Sequence, residues 1–172
     1  MTSRKTDNNK KLASAIFPGS FDPFTIGHED ILKRASETFE VVYLALMINP
    51  EKSYFFDVET RLAIAEGAAK KYPNVKVIYD EGMLFSLAQR LCCSAIVKGV
   101  RNAEDLDYEI KMARYNKEHG GIETLLLPCL DEELGKISST YVRSLLKANE
   151  LEKAASLMPC EAAKIIVQRG FK

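Results

Sequence analysis

The sequence contains no tryptophan, only two histidines and no imbalance of charge, and these scarcities exclude whole classes of protein. Its 24 basic and 24 acidic residues cancel to a formal net charge of zero, whereas proteins dedicated to nucleic acid usually carry a basic excess. No apolar run approaches the roughly 20 residues that a membrane-spanning helix requires. We therefore expect neither nucleic acid nor a membrane among its partners.

Two further features are missing from the sequence: cysteines at the spacing of metal ligands, and an apolar leader at the start. We therefore expect a cytoplasmic protein. The cysteines form no C-x-x-C pair and have no histidine at ligand spacing, which disfavours a zinc site and favours buried, reduced thiols: Cys92, Cys93, Cys129 and Cys160. The first residues, MTSRKTDNNKK, are polar and lack the apolar core of a signal peptide. We expect a flexible polar tail over residues 1–13 and one domain over residues 14–172.

What the chain does contain is an alternation of short apolar runs with longer amphipathic stretches. The apolar runs predict strands at residues 14–17, 41–47, 75–79, 95–99 and 123–128. Helical spacing and capping residues predict helices at residues 27–38, 57–71, 83–91, 104–118, 138–148, 151–157 and 161–168. This order favours an α/β fold, a Rossmann-like parallel five-stranded sheet with helices on both faces and a helical C-terminus.

The unusual polar residues of the sequence come directly after predicted strands. They lie in residues 18–28, at Asn49 and Lys52, at Lys98 and Arg101, and in residues 135–143. Open parallel sheets bind ligands outside the carboxyl ends of their strands. We therefore expect these four segments to converge on one edge of the sheet.

The segment GSFDPFTIGH joins the first strand to the helix that follows it. Gly19 permits a tight turn, and Asp22-Pro23 is typical of a turn. Gly27 and His28 open the helix, where unpaired N–H groups and the helix dipole favour an anion. His28 is thus well placed to donate a hydrogen bond to a phosphate, although its position fits a solvated surface histidine equally well.

The segment ISSTYVR predicts a second helix start of the same kind. Ser138 or Ser139 can cap the helix, and Arg143 lies about one turn into it. Serine hydroxyls, amides at a helix N-terminus and an arginine are groups that favour phosphate. An ordinary N-cap is the plainer alternative when this segment is taken alone.

The remaining candidates are charged side chains near these segments. Lys52 alone is typical of a solvated loop lysine, but Lys98 ends an apolar strand, where an unpaired charge is costly. Glu109 is the acidic residue of the following helix that can turn inward, near Arg101. No nucleophile lies beside a base, so the set of donors and cations suits direct transfer at an electrophilic phosphorus.

At this point two motifs can be matched to known proteins. Residues 25–28 resemble the [HT]-x-G-H motif of the nucleotidylyltransferase superfamily, and ISSTYVR resembles its second motif. Together with NPEKSYFF and KGVRNAEDLDYEIKMARYN, they resemble the bacterial phosphopantetheine adenylyltransferase family from about residue 15 to residue 148. The resemblance implies in-line transfer of the adenylyl group of ATP to 4′-phosphopantetheine, giving dephospho-coenzyme A and pyrophosphate. It also implies Mg²⁺ with the nucleotide and a homohexamer.

The resemblance implies a role for each matching residue. His28 would stabilise the pentacoordinate α-phosphorus, and Lys52 would bridge the attacking phosphate and the phosphates of ATP. The acceptor would be held by Ser20, Lys52, Leu84 and Lys98. The nucleotide would be held by Ser20, Phe21, His28, Gly99, Val100, Arg101, Glu109, Leu134, Gly135, Lys136, Ile137, Ser138, Ser139 and Thr140, and no side chain is assigned to a metal. Three positions depart from the family pattern: Ser20 replaces threonine, Lys98 arginine and Lys136 an aromatic residue.

Other readings of the same motifs remain open at this point. Another small nucleotidylyltransferase would share the chemistry but transfer CMP to glycerol 3-phosphate or AMP to nicotinamide mononucleotide. A class I aminoacyl-tRNA synthetase shares the first motif, but it normally needs a longer chain and a KMSKS loop. A non-catalytic nucleotide-binding protein is the alternative of a different class, and intact Gly27-His28, Lys52 and Ser138-Ser139 argue against it.

Overall fold

Five parallel strands form a sheet at the centre of the fold. The computed structural model describes residues 11–49 and 52–169, and its strands are β1 (Leu12–Gly19), β2 (Phe39–Met47), β3 (Val75–Asp80), β4 (Ala95–Val100) and β5 (Glu123–Pro128). Their order is β3-β2-β1-β4-β5, and each neighbouring pair is parallel. The predicted parallel five-stranded sheet is therefore confirmed, and its carboxyl ends share one edge.

Helices alternate with the strands and then continue the chain alone. They are α1 (Ile26–Thr38), α2 (Val58–Ala69), α3 (Leu84–Arg90), α4 (Ala103–Gly120), α5 (Glu132–Gly135), α6 (Ser139–Lys147), α7 (Leu151–Ser156) and α8 (Cys160–Arg169). Each predicted helix is present, with ends shifted by one or two residues. The sequence did not predict α5, because a single turn is too short to show helical periodicity.

The two faces of the sheet bury separate clusters of apolar side chains. Phe17 of β1 packs in a cluster that includes Leu32 of α1 and Ile64 of α2. The adjacent Ile16 points the other way and packs with Leu87 of α3 and with Ile96. Successive strand residues face opposite sides. Helices therefore cover both faces, which explains why the strands are apolar at nearly every position.

The structure also revises expectations about the cysteines and the first strand. Cys92 and Cys160 are exposed, and Cys93 and Cys129 are only half-buried, so the prediction of buried thiols is wrong, although all four cysteines are free. Cys92 lies in the turn after α3 with a φ of 50°, and Cys160 begins α8 at the surface. β1 begins at Leu12, inside the segment assigned to the tail, and residues 1–10 lie outside the described part of the chain.

The structure was also searched for helices that could cross a bilayer. Over residues 11–49 and 52–169, no helix combines the length and the apolar character that a membrane span needs.

Candidate active site

The carboxyl ends of β1 and β4 mark the point where the strand order reverses, which is where open α/β sheets bind ligands. The loop after β1 and helix α1 lie close to the end of β4. A Cβ added to Gly99 would lie 2.8 Å from Cγ1 of Ile31, so α1 packs directly against this strand end. The first predicted segment and the β4 segment therefore meet, as the sequence predicted.

His28 is fixed at the start of α1 by a reciprocal cap. The backbone N–H of Thr25 donates to Nδ1 of His28 at 3.0 Å, and Oγ1 of Thr25 accepts from the backbone N–H of His28 at 3.4 Å. The ring also packs against Phe21 and Phe24, each with its centroid 5.3 Å away. Because Nδ1 accepts this bond, the proton of the neutral ring lies on Nε2.

The surroundings of His28 keep its ring neutral. Burial of the imidazole, followed by the positive charges of Arg101 and Lys98, lowers the pKa of His28 to about 4. At neutral pH the side chain is therefore a neutral donor rather than a cation. Arg101 and Lys98, whose charges contribute to this shift, both lie at the end of β4.

The second motif contacts the first directly. Ser138 is the N-cap of α6, where its hydroxyl accepts from the N–H of Tyr141, so the choice between the two serines is settled. The hydroxyl of Ser139 instead donates to the carbonyl of Pro23 at 2.8 Å. A Cβ on Gly27 would lie 3.3 Å from the carbonyl oxygen of Leu134. The start of α1 and the segment that leads into α6 thus lie side by side, and a side chain at Gly27 would force a small shift where they touch.

Arg143 strengthens the contact between the two motifs. Its Nη1 donates to the carbonyl of Asp22 at 2.6 Å, and its Nη2 donates to the hydroxyl of Thr140 at 2.9 Å. The sequence suggested a phosphate ligand at this position. In the structure this guanidinium joins α6 to the loop after β1.

The charged residues at the end of β4 form two separate ion pairs. Glu109 turns inward from α4 as predicted, but its partner is Lys98, with Nζ 3.0 Å from Oε1, rather than Arg101. Arg101 makes two bonds to Asp105, from Nε at 2.7 Å and from Nη2 at 3.1 Å. The Arg101 guanidinium lowers the pKa of Asp105 below its ordinary value. Gly99 and Val100 complete the strand between these two cations.

The other sequence-predicted residues occupy the same edge with different exposures. Ser20 and Lys52 are exposed in the loops after β1 and β2. The ring of Phe21 is buried, so only its backbone can meet a nucleotide. Gly135 and Ile137 flank Lys136, which is exposed and pairs with Glu133 at 2.5 Å.

A small cavity of about 60 Å³ opens beside the Lys98–Glu109 pair. Its wall is formed by Leu84, Lys98, Tyr108, Glu109, Met112, Ala113, Asn116 and Thr124. The hydroxyl of Thr124 is buried there without a hydrogen-bond partner among the described residues, and Asn116 is buried as well. Sequence reasoning found Leu84 and Lys98 but missed Asn116 and Thr124. The sequence did contain a signal for each: Thr124 is a polar residue inside an apolar strand, and Asn116 lies two helical turns after Glu109 on the same helix.

The arrangement offers cations and N–H donors rather than metal ligands. Across residues 11–49 and 52–169, no group of three or more His, Cys, Asp or Glu side chains is placed to hold a metal ion. Lys98, Arg101 and the neutral His28 surround the start of α1, and the start of α6 lies next to it. Such a site can bind phosphates and stabilise negative charge that develops on them.

Comparisons with known proteins agree with this geometry. The family described as cytidylyltransferase-like matches residues 16–145. The phosphopantetheine adenylyltransferase of Cutibacterium acnes is 41% identical over 130 residues, which cover 76% of this chain and 82% of that protein. The enzyme of the same name from Symbiobacterium thermophilum is 42% identical over 135 residues, covering 78% and 83%.

A solved structure supports the fold alone. Nicotinic acid mononucleotide adenylyltransferase of Plasmodium falciparum, complexed with NaAD, aligns with a TM-score of 0.64 at 15% identity, over 92% of this chain and 96% of that chain. The sequence relatives are far more similar and match most of their own length. Together with two motifs meeting at one sheet edge, they show that this chain belongs to the phosphopantetheine adenylyltransferase family of nucleotidyltransferases.

Proposed function

We propose that this protein transfers the adenylyl group of ATP to the phosphate of 4′-phosphopantetheine. A phosphate oxygen of the acceptor attacks the α-phosphorus in line, the bond from that phosphorus to the β-phosphate bridge breaks, and pyrophosphate leaves. The product is dephospho-coenzyme A. The observation that carries the proposal is the contact between the starts of α1 and α6, with His28 held there as a neutral donor.

His28 is the group we assign to the transition state. Its Nε2–H donates to an oxygen of the α-phosphate, where charge accumulates as phosphorus becomes pentacoordinate. A neutral donor that is already fixed by Thr25 needs no reorganisation when the charge develops. Lys52 supplies positive charge to the attacking phosphate and the departing phosphates from the loop after β2.

The nucleotide occupies the second motif and the end of β4. The hydroxyls and amides at the start of α6 suit its phosphates, because a helix N-terminus presents unpaired N–H groups. Arg101 and Glu109 both take part in ion pairs in the structure, with Asp105 and Lys98 respectively. ATP would therefore exchange these contacts for its own rather than fill a vacant pocket.

The phosphate of the acceptor lies at Lys98, and its arm reaches the neighbouring cavity, whose volume of about 60 Å³ holds only a small part of the molecule. Phosphopantetheine carries a phosphate at one end and two amides along its arm, so it needs a cation at the mouth and polar partners inside. Lys98 supplies the cation, and the buried side chain of Asn116 and the buried hydroxyl of Thr124 supply the inner groups. Leu84 provides apolar contact for the arm.

Mg²⁺ enters this proposal as the counter-ion of ATP. The described residues offer no cluster of ligands for it, so every step assigned above belongs to side chains and backbone of the chain itself. By family resemblance, we also propose that the protein is located in the cytoplasm and forms a homohexamer. Light scattering on the purified protein tests the hexamer, which would have six times the 19.3 kDa mass of one chain.

Pyrophosphate release tests the proposed reaction. The protein is incubated with Mg²⁺ and ATP or CTP, and with 4′-phosphopantetheine, nicotinamide mononucleotide or glycerol 3-phosphate. We expect rapid release only with ATP and phosphopantetheine, with dephospho-coenzyme A identified by mass spectrometry. Faster pyrophosphate release with another nucleotide and acceptor would mean that this other pair is the substrate pair of the enzyme. The absence of release with every pair, alongside measurable ATP binding, would establish a non-catalytic nucleotide-binding protein.

A further inference from the structure

Arg61 is a buried cation outside the motifs described so far. It lies in the first turn of α2 and is only 2% exposed. Its Nε donates to the carbonyl of Phe56 at 3.2 Å, its Nη1 donates to the carbonyl of Ser20 at 3.1 Å, and its guanidinium lies 3.8 Å from the ring centroid of Tyr54. Burying a charge is costly unless it is well hydrogen-bonded, so these contacts explain why it is tolerated.

Both carbonyls bound by Arg61 belong to segments that carry site residues. Ser20 is itself an assigned residue, and Phe56 ends the loop that carries Lys52. A second connection runs parallel to the first, because the buried carboxylate of Asp22 accepts from the N–H of Phe55 at 2.8 Å and from that of Phe56 at 3.0 Å. The loop after β2 is therefore tied to the loop after β1 from two sides.

Tyr54 extends this connection to Lys52. The backbone N–H of Asn49 donates to the Tyr54 hydroxyl at 2.7 Å, and that hydroxyl donates back to the carbonyl of Asn49 at 3.3 Å. The N–H of Lys52 donates to the same carbonyl at 3.0 Å. Lys52 is thus bonded to Asn49, the residue that the Tyr54 hydroxyl holds, and the ring of Tyr54 rests on Arg61.

We propose that Arg61 and Tyr54 are positioning residues that hold Lys52 at a fixed place relative to Ser20. The inference rests on the proposed function for the role of Lys52, but not for the geometry. A lysine side chain is long and flexible, so the precision of its ammonium depends on how firmly its backbone is held. Precise positioning of the reacting groups contributes a large part of the rate acceleration in enzymes.

The effect should be selective for the acceptor. Weakening the turn displaces Lys52 from the attacking phosphate, which lowers kcat and raises the KM for phosphopantetheine. Lys52 also acts on the departing phosphates of ATP, which affects kcat, and Ser20 contributes only its backbone carbonyl to these contacts. The residues assigned to the nucleotide on β4 and α6 make none of them, so the KM for ATP should change much less than the KM for phosphopantetheine. A residue that merely supported folding would alter both substrates in parallel with stability.

Tyr54→Phe tests the proposal with the smallest change, since it removes the hydroxyl and keeps the ring over Arg61. We expect kcat/KM for the acceptor to fall about tenfold, as for one lost hydrogen bond. The KM for ATP should stay within about twofold, and Tm should fall by no more than about 6 °C, because tenfold corresponds to about 1.4 kcal/mol and each kcal/mol shifts Tm by about 2–4 °C in a chain of this length. Tyr43→Phe, which removes a hydroxyl in the middle of β2, is the matched control and should behave as the unaltered protein. Arg61→Lys keeps the positive charge but loses the planar guanidinium that bonds to the carbonyls of Phe56 and Ser20. It should lower kcat/KM for the acceptor more than Tyr54→Phe does.

Hydrogen exchange separates this inference from the proposed reaction. Tyr54→Phe should accelerate exchange of the backbone amides of Asn49 and Lys52, whether or not the protein turns over phosphopantetheine. Unchanged exchange together with unchanged acceptor kinetics would overturn the proposal, as would equal losses for ATP and acceptor. Faster exchange in a protein that never transfers adenylyl groups would support the positioning role and remove the proposed function.

Discussion

Thr25 donates its backbone N–H to Nδ1 of His28 across 3.0 Å, and this bond decides which ring nitrogen carries the proton. With Nδ1 engaged as an acceptor, the neutral ring presents Nε2–H as its donor. The bond lies within the first turn of α1, so the helix start also orients the ring that we assign to the transition state.

Replacing His28 should affect turnover far more than ATP binding. Losing one donor to developing charge costs about 3–4 kcal/mol, or about 10²–10³ in rate, so His28→Ala should lower kcat by that factor. The Kd for ATP, measured by calorimetry, should change only slightly. His119→Ala is the control, because His119 stacks on Tyr115 at the end of α4 and has no assigned role. Equal losses in binding and turnover would make His28 a ground-state contact only.

The pKa of His28 predicts how stability depends on pH. The folded state holds the pKa near 4, below its ordinary value of 6.5, so the unfolded chain binds the proton first. Stability contributed by His28 is therefore fully present above pH 6.5 and is lost as the pH falls towards 4, by about 3 kcal/mol. Urea unfolding at pH 7 and pH 4.5 should show a smaller difference for His28→Ala. Proton NMR should show the His28 ring still neutral at pH 5.5, and a midpoint near 6.5 would contradict the assignment.

Lys98 should matter to the acceptor and not to ATP. Lys98→Arg should hold or improve the apparent affinity for phosphopantetheine, because a guanidinium can grip phosphate with two bonds. Lys98→Ala should weaken it about tenfold or more, as expected for one charge-assisted hydrogen bond. A rise in the KM for ATP instead would place Lys98 at the nucleotide.

The ion pair with Glu109 complicates that variant and suggests its control. Lys98→Ala leaves a buried carboxylate without its 3.0 Å partner, at a cost of about 1–3 kcal/mol in the free energy of unfolding. Adding Glu109→Gln should recover much of that stability without restoring the acceptor KM. Recovery of both the free energy of unfolding and the KM for phosphopantetheine would mean that Lys98 affects the acceptor only by stabilising the fold.

Thr124→Val should separate stability from substrate binding. The buried hydroxyl of Thr124 has no partner among the described residues, so replacing it by a methyl group of similar size should stabilise the protein by about 1 kcal/mol. If the hydroxyl meets the arm of the acceptor, the KM for phosphopantetheine should rise at the same time. The hydroxyl of Thr38 already donates to the carbonyl of Arg34 at 2.8 Å. Thr38→Val should therefore neither stabilise the protein nor raise the KM for phosphopantetheine. A destabilised Thr124→Val would show that the hydroxyl has a partner.

The sequence alone determined the succession of strands and helices along the chain and the segments where candidate phosphate-binding residues are concentrated. Periodicity separates buried strands from amphipathic helices, because each depends on neighbours within a few residues. The helix predicted at residues 57–71 rests on the same kind of local signal, and the carboxylate of Asp57 caps it by accepting from the N–H of Thr60 at 2.7 Å. Parallel strands then place the segments after them at one edge, which is why four polar segments could be assigned to a common site.

Only the tertiary structure decided which partners those residues take. Glu109 was expected near Arg101, but Arg101 is satisfied by Asp105 four residues later, and Glu109 pairs with Lys98. Asp22 looked like a turn residue, yet its carboxylate binds backbone amides 33 and 34 residues away. Contacts of this kind depend on how distant segments pack, and local sequence patterns carry no information about that distance. The sequence therefore determined where the site lies, and the packing of loops and helices decided how its charges are paired and held.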